Sequence, residues 1–488
     1  MSLIDAVCPT ALGLIGGEFR GARSGETITS INPSDGTVLA TVPRMGAEDV
    51  DDAVAAARRA FPAWAALDPL ARAGYLYRLA DALEQHGDEL ARLDALDNGS
   101  PMREMRFDVT VAAMSIRYFA GLVLELQGRT VPTTPDRVIY SLKQPYGVVA
   151  RIGAFNHPLL FTFGKLAPAL AAGNTIVSKP SEYTSLSSLA AAHLVQEIFP
   201  PGVVNIVTGY GHESGDALVR HPDVRRLAFI GSADTGRAIQ RSAAEVAVKT
   251  VTLELGGKNP IVVFPDADID RAVDGVITGM NFTWQGQSCG STSRVLIHSS
   301  IHREFVDRLA ARIDSIRPGL PTDPQADTGA IVNTQQLEKV LRYIDIGKAE
   351  GARLVVGGER VTEGALEKGN FVRPALFDGV DPAGRLGQEE IFGPVLAAMP
   401  FGDYEDALRI ANGVKYGLTA SVFTADLGTA HRFARDVEAG YVWVNESSRH
   451  FLGASFGGYK DSGVGREESS VELDSWTQNK NVSLLFGQ

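Results

Sequence analysis

From Tyr146 onward the chain alternates short β-branched runs with helical stretches. "YGVVARI" and "NTIVSKP" flank the helix-like "PLLFTFGKLAPALAAG". "VVNIVTG" then follows "SLSSLAAAHLVQEIF", and "VRRLAFIG" follows "SGDALVRH". Strands separated by helices read as β-α-β units, so this rhythm predicts a parallel, doubly wound α/β sheet. Such a sheet binds ligands at the carboxyl ends of its strands. A second series begins after "KTVTLELGGKNPIVVF" and runs through "SRVLIH", "REFVDRLAARID", "TASVFT" and "YVWVN". A chain of 488 residues is too long for one compact core, so a second α/β unit is expected, with a ligand cleft between the two.

Two amphipathic helices are expected ahead of the sheet, in "AEDVDDAVAAARRAFPAW" and "LARAGYLYRLADALEQHGDELARLDALDNG". Residues 126–145, "LQGRTVPTTPDRVIYSLKQP", interrupt the scheme and read either as a surface hairpin or as an arm packed on a neighbouring subunit. A net charge of −12 argues against nucleic acid or an anionic membrane as the main partner. There is no apolar run long enough for a membrane span and no basic segment at the start, so the cytoplasm is the expected location. Cys8 and Cys289 are the only cysteines; with Cys8 expected in a loose N-terminal segment, no structural disulfide is assigned.

Cys289 lies in "FTWQGQSCGSTSR", among polar residues and glycines. Free cysteine is usually buried and inert, whereas this setting suits an accessible thiolate. Glu254, between leucines in "VTLELGGKNP", is either paired with a cation or raised in pKa by burial into a usable base. Asn156, in "GAFNHPLL", follows a strand; it caps a turn or completes an oxyanion hole with the Cys289 backbone N–H.

Lys179 and Glu182, in "SKPSE", stand where a strand ends and could hold the hydroxyls of an adenosine ribose. An acidic residue there would repel a 2′-phosphate and favour NAD over NADP; the plainer reading is a solvated loop. "FIGSADTG" places Gly231, Ser232 and Gly236 at a strand-to-helix junction able to offer N–H groups to a pyrophosphate. "TGYGHES" has Ser214 in place of the third glycine of a dinucleotide fingerprint and carries little weight.

Together, "FNHPLL", "SKPSE", "FIGSADTG", "LELGGKNP", "GQSCGS", "QEEIFGPV" and "FGGYKDSGVGRE" occur in one order between residues 156 and 467, and in this the chain resembles the aldehyde dehydrogenase superfamily. The resemblance implies a Rossmann-like NAD-binding domain (1–125 and 146–253), a catalytic α/β domain (254–458) and oligomerisation segments (126–145 and 459–488). It implies a homodimer or homotetramer acting on a small-molecule aldehyde, with no metal site. Cys289 would be the nucleophile, Glu254 the base for water, and Asn156 the oxyanion donor. Lys179, Glu182, Gly231, Ser232, Gly236, Glu390 and Phe392 would hold the cofactor, with Phe155 where the family often has tryptophan.

The same resemblance places His157, Phe161, Gly164 and Ser288 along the substrate passage, with Arg449, His450 and Phe456 from the loop before "FGGYK". Gly164 is expected to leave room for a bulky group, and Arg449 and His450 to recognise substrate oxygen atoms. An aromatic or cyclic aldehyde bearing oxygen substituents follows. Acyl transfer to coenzyme A is an alternative that Glu254 argues against, since that transfer needs no base for water. An inactive binding role is argued against by the intact Cys289, Asn156 and Glu254.

Overall fold

The computed structural model describes residues 2–486. Its first sheet has eight strands, in the spatial order Glu18–Arg20, Gly13–Ile15, Val204–Ile206, Thr175–Lys179, Val148–Ile152, Val224–Ile230, Thr250–Glu254 and Gly463–Val464. The five strands from Val204–Ile206 to Thr250–Glu254 are parallel, as the alternating pattern predicts. Every residue of Val148–Ile152 and Thr175–Lys179 is buried, because helices cover both faces of a parallel sheet. The edges are antiparallel, and one of them is supplied from far along the chain: Gly463–Val464 pairs with Leu253 and Glu254.

The second sheet has seven strands, ordered Arg353–Val356, Ala375–Asp378, Val395–Phe401, Arg294–His298, Pro260–Val263, Thr419–Phe423 and Tyr441–Val444. Only the first pairing is antiparallel. Residues 126–145 form a hairpin whose long strand, Arg137–Pro145, pairs along its length with Thr477–Leu485. Among the described residues no helix is long and apolar enough to cross a membrane.

Several elements depart from the sequence expectation. "PLLFTFGKLAPALAAG" is not one helix but a π-helical turn, Leu160–Gly164, followed by Ala167–Ala171. The second N-terminal helix divides at His86 into Pro69–Gln85 and Gly87–Asn98. The N-terminal segment is not loose. Leu3 and Val7 of a short helix are buried, and Cys8 caps it while packing against the same core. The hairpin of Gly13–Ile15 and Glu18–Arg20 was signalled by Gly16 and Gly17, both at positive φ, as a tight two-residue turn requires. One apolar cluster, with Trp64, Leu79, Phe119, Phe163 and Trp476, joins the N-terminal helices to the first sheet.

Candidate active site

The helix Ile269–Gly279 stops short of the cysteine. Asn281 (φ 53°), Gln285 (φ 56°) and Gly286 (φ 66°) turn the chain through left-handed conformations, so residues 281–293 run as a stepped loop. A Cβ at Gly286 would lie 2.4 Å from the Gly393 carbonyl, so glycine is required for both angle and space. The buried Asn259 clamps the loop: its Nδ2 donates to the carbonyls of Cys289 (2.7 Å) and Ser291 (3.0 Å), while its Oδ1 accepts from Thr419 N–H (3.0 Å). Gln285 and Gln287 add bonds to Ser100 and Val332.

Cys289 stays partly accessible. Burial, reinforced by the charges of Glu254, Glu390 and Glu468, pushes its thiol up to about 12, with the Gly290 N–H acting in the opposite direction. Among the described residues the Cys289 N–H and the Asn156 side-chain amide make no hydrogen bond within the protein. Asn98 holds the Asn156 backbone by donating to its carbonyl at 3.2 Å. Both free donors suit an oxyanion.

Glu254 ends a strand and is 4% exposed, yet neither carboxylate oxygen has a hydrogen-bond partner. Burial first, then the neighbouring Glu467, raises it well above the usual carboxylate range. A Cβ at Gly457 would come within 2.8 Å of its Oε1, so the backbone approaches the carboxylate closely. Beside it lies an ionic cluster that sequence reading missed. Arg151 pairs with Glu467 at 2.6 Å, with side chains 0% and 3% exposed. Lys165 bridges Glu467 (3.0 Å) and Glu468 (3.2 Å). These partners come from three distant peptides, and only the Glu467–Glu468 doublet signalled them in sequence.

Lys179 is 1% exposed at the end of its strand; its Nζ lies 3.3 Å from Glu182 Oε2, and burial lowers its pKa. A lysine kept there with so little solvent suits a polar ligand. Ser232 caps the helix Ala233–Val246 by accepting from Thr235 N–H. Gly231 and Gly236 have packing reasons of their own: a Cβ would meet the Phe229 ring at 2.3 Å and Leu255 at 2.8 Å, respectively. Glu390 accepts from Gly257 N–H at 2.9 Å, and a Cβ at Gly256 would come to 2.1 Å from its Oε2. Phe392 adopts φ 61° and meets Phe155 edge-on at 5.6 Å. Gln336, also missed from sequence, holds that turn by donating to the Ile391 and Phe392 carbonyls. A cradle of this kind accommodates NAD.

The expected substrate residues divide. His157, Phe161 and Trp284 form one aromatic group; His450 and Phe456, with Tyr441, form another. His450 Nδ1 is 3.1 Å from Glu468 Oε2. Ser288 neighbours the cysteine in the loop and remains partly exposed. Gly164 does not open space as expected: a Cβ would lie 2.9 Å from Leu160 Cδ1 and 3.3 Å from Ala112 Cα, so glycine serves close packing against the helix Met102–Gly121. Arg449 is not gathered into either group; it is 66% exposed, near Glu446 and over the Phe451 ring.

A partly accessible cysteine lies near a buried carboxylate that has no partner, in a fold built on two large α/β sheets. Residues 19–482 match the Aldehyde dehydrogenase family, and the chain belongs to it. It is 45% identical over 465 residues to the aldehyde dehydrogenase tropH of Talaromyces stipitatus, covering 94% of this chain and 90% of that one. Among solved structures it resembles the NAD+ complex of an aldehyde dehydrogenase from Bacillus cereus (42% identity, TM-score 0.95, covering 98% and 97% of the two chains). It also resembles the AldA indole-3-acetaldehyde dehydrogenase of P. syringae, solved with NAD+ and IAA (39% identity, TM-score 0.96, covering 99% and 98%). The NAD+ complexes of these relatives support NAD as cofactor.

Proposed function

We propose that the protein oxidises an aromatic or cyclic aldehyde to its carboxylate through a covalent intermediate on Cys289. The observation that carries this reading is Glu254, a buried carboxylate with both oxygens bare beside the nucleophile. The Cys289 sulfur adds to the aldehyde carbon as its thiol proton passes to water, and the Asn156 amide and the Cys289 N–H steady the resulting oxyanion. Bound NAD supplies the acceptor for the hydride that leaves this thiohemiacetal carbon. The thioester left on Cys289 is cleaved by water: Glu254 takes a proton from the water, whose oxygen bonds to the acyl carbon as the C–S bond breaks. The departing sulfur takes that proton back from Glu254 and the acid product releases its own to solvent, so carboxylate and thiol result. With its oxygens unpaired and its pKa raised, Glu254 is available to accept that proton near neutral pH.

Lys179 and Glu182 hold the adenosine ribose in this reading, with Gly231, Ser232 and Gly236 at the pyrophosphate and Glu390 and Phe392 at the nicotinamide end. The two domains fall at 1–125 with 146–253 and at 254–458. The aromatic groups around His157 and His450 support a flat substrate, as does the relative named for indole-3-acetaldehyde. Exposed Val131, Val138, Leu142, Leu484 and Leu485 on the hairpin and C-terminal strand support a homodimer or homotetramer built through residues 126–145 and 459–488. Two free thiols suit the cytoplasm.

Stopped-flow mixing with NAD and benzaldehyde tests the chemistry. A burst of NADH is expected in the wild type, and Cys289→Ala should lose at least ~99% of turnover while still binding NAD. Substantial residual activity in that variant would exclude the assignment.

A further inference from the structure

One polar assembly beside the cysteine has no part in the steps above. Asp108, on the helix Met102–Gly121, is 2% exposed, and its Oδ2 lies 2.8 Å from His157 Nδ1. A carboxylate only accepts, so whenever the imidazole is neutral Nδ1 carries its proton and Nε2 is left as an acceptor. Among the described residues nothing in the protein bonds to Nε2, and it is not one of the buried polar atoms lacking a partner. It therefore keeps some access to solvent.

The ring's position is fixed. It meets Phe161 edge-on at 5.1 Å and Trp284 at a tilt, 5.5 Å between centroids. Trp284 belongs to the loop that carries Cys289, and His157 directly follows Asn156. The imidazole thus connects the nucleophile's loop to the oxyanion donor. A phenyl ring would fill the same aromatic contacts without any carboxylate behind it. A buried carboxylate such as Asp108 needs a hydrogen-bonded partner, and fixing a tautomer is what a carboxylate behind an imidazole achieves. The Trp284 indole N–H is also buried without a partner, so this wall is not simply apolar.

We propose that the Asp108–His157 pair reads a hydroxyl group on the aldehyde, with Nε2 accepting the hydroxyl hydrogen bond while the carbonyl carbon lies at Cys289. This rests on the assignment of Cys289 and Asn156 above. The ligand class is a hydroxylated, ring-bearing aldehyde; His157 is the specificity-determining group and Asp108 a positioning residue.

The test compares kcat/KM for benzaldehyde, its three monohydroxy isomers and the matching methoxy compounds, which keep the oxygen but lack the donor hydrogen. In the wild type one hydroxy isomer should exceed both its methoxy partner and benzaldehyde about tenfold, mainly through KM. His157→Phe, which preserves the aromatic packing, should bring that ratio to about one. Asp108→Asn, nearly isosteric, should lower it at least about threefold, because an amide no longer dictates the tautomer. A ratio near one in the wild type, or a ratio kept in both variants, overturns the proposal. The NADH burst with benzaldehyde separates the two layers. A burst with no hydroxyl preference sinks the pair alone; no burst with any aldehyde sinks the assignment of the site, and this inference with it.

Discussion

At the scale of single residues, the contrast between Glu254 and Glu467 shows how surroundings divide labour between like groups. Both are buried, yet Glu467 is bound by Arg151 and Lys165, and their charges overcome burial to hold it at about 2. Glu254 has no partner and is pushed the opposite way. One is a permanent anion and the other is free to exchange a proton. Glu254→Gln should therefore keep the NADH burst while slowing steady-state turnover by about 100-fold or more, the usual scale of a lost general base. Rapid quench and stopped flow would read both phases, and loss of the burst in a folded, NAD-binding variant would place Glu254 elsewhere in the reaction. Read locally, Cys289, Glu254 and Asn156 could equally be an inert thiol, an ion-paired acid and a turn residue, and only the seven peptides in one order singled them out. Asp108 gave no signal of its own, since an acid on a helix can equally be solvated, whereas Lys165 is the one charge in the apolar stretch "PLLFTFGKLAPALAAG".

At the scale of elements, the loop at residues 281–293 matters more than any helix. Its left-handed residues prevent regular hydrogen bonding, so the buried Asn259 supplies the bonds that the backbone cannot make for itself. Asn259→Ala removes a clamp on the Cys289 and Ser291 carbonyls and on Thr419 N–H. It should destabilise the fold by about 1–3 kcal/mol and lower kcat/KM by on the order of tenfold to a hundredfold through a displaced sulfur. Urea unfolding and steady-state kinetics check the two effects, and full activity would show that the loop holds its shape without Asn259. The strands and helices here were readable from their periodicity. The breaks at Leu160–Gly164 and after Gly279 were not, because tertiary hydrogen bonds and close packing, rather than local propensity, decide them.

Across the whole molecule, the first sheet and the C-terminal segment are joined by buried charge. Arg151→Met leaves Glu467, at 3% exposure, with Lys165 as its remaining partner and should cost about 3–5 kcal/mol, measurable as a lower urea midpoint. An unchanged midpoint would mean that Lys165 neutralises Glu467 alone. The same charges shape the response to pH. Asp97 and Glu472, each raised to about 7 chiefly by burial, favour the fold when protonated, so their contribution is full below the ordinary carboxylate range and fades as pH rises through 7. Glu467 and Glu468 are held at about 2 by Arg151, Lys165 and His450 against the effect of burial. Their contribution is full above the ordinary range and is lost as pH falls through 2. On these groups Tm should be highest near the ordinary carboxylate range, about pH 4 to 5, and fall towards pH 7, and Glu472→Gln should lessen that fall; a Tm still climbing from pH 5 to 7 would contradict this.

By itself the sequence determined the parallel sheet, because periodicity is a local property, and it offered Cys289, Glu254 and Asn156 as candidates that only the ordered motifs taken together singled out. Only the tertiary structure decided that Gly164 closes space rather than opening it, that Arg449 stays at the surface, and that Arg151, Lys165 and Glu467 neutralise one another beside Glu254. Those outcomes depend on which distant groups approach within a few ångströms, and desolvation gives such contacts their strength only once the chain has closed around them.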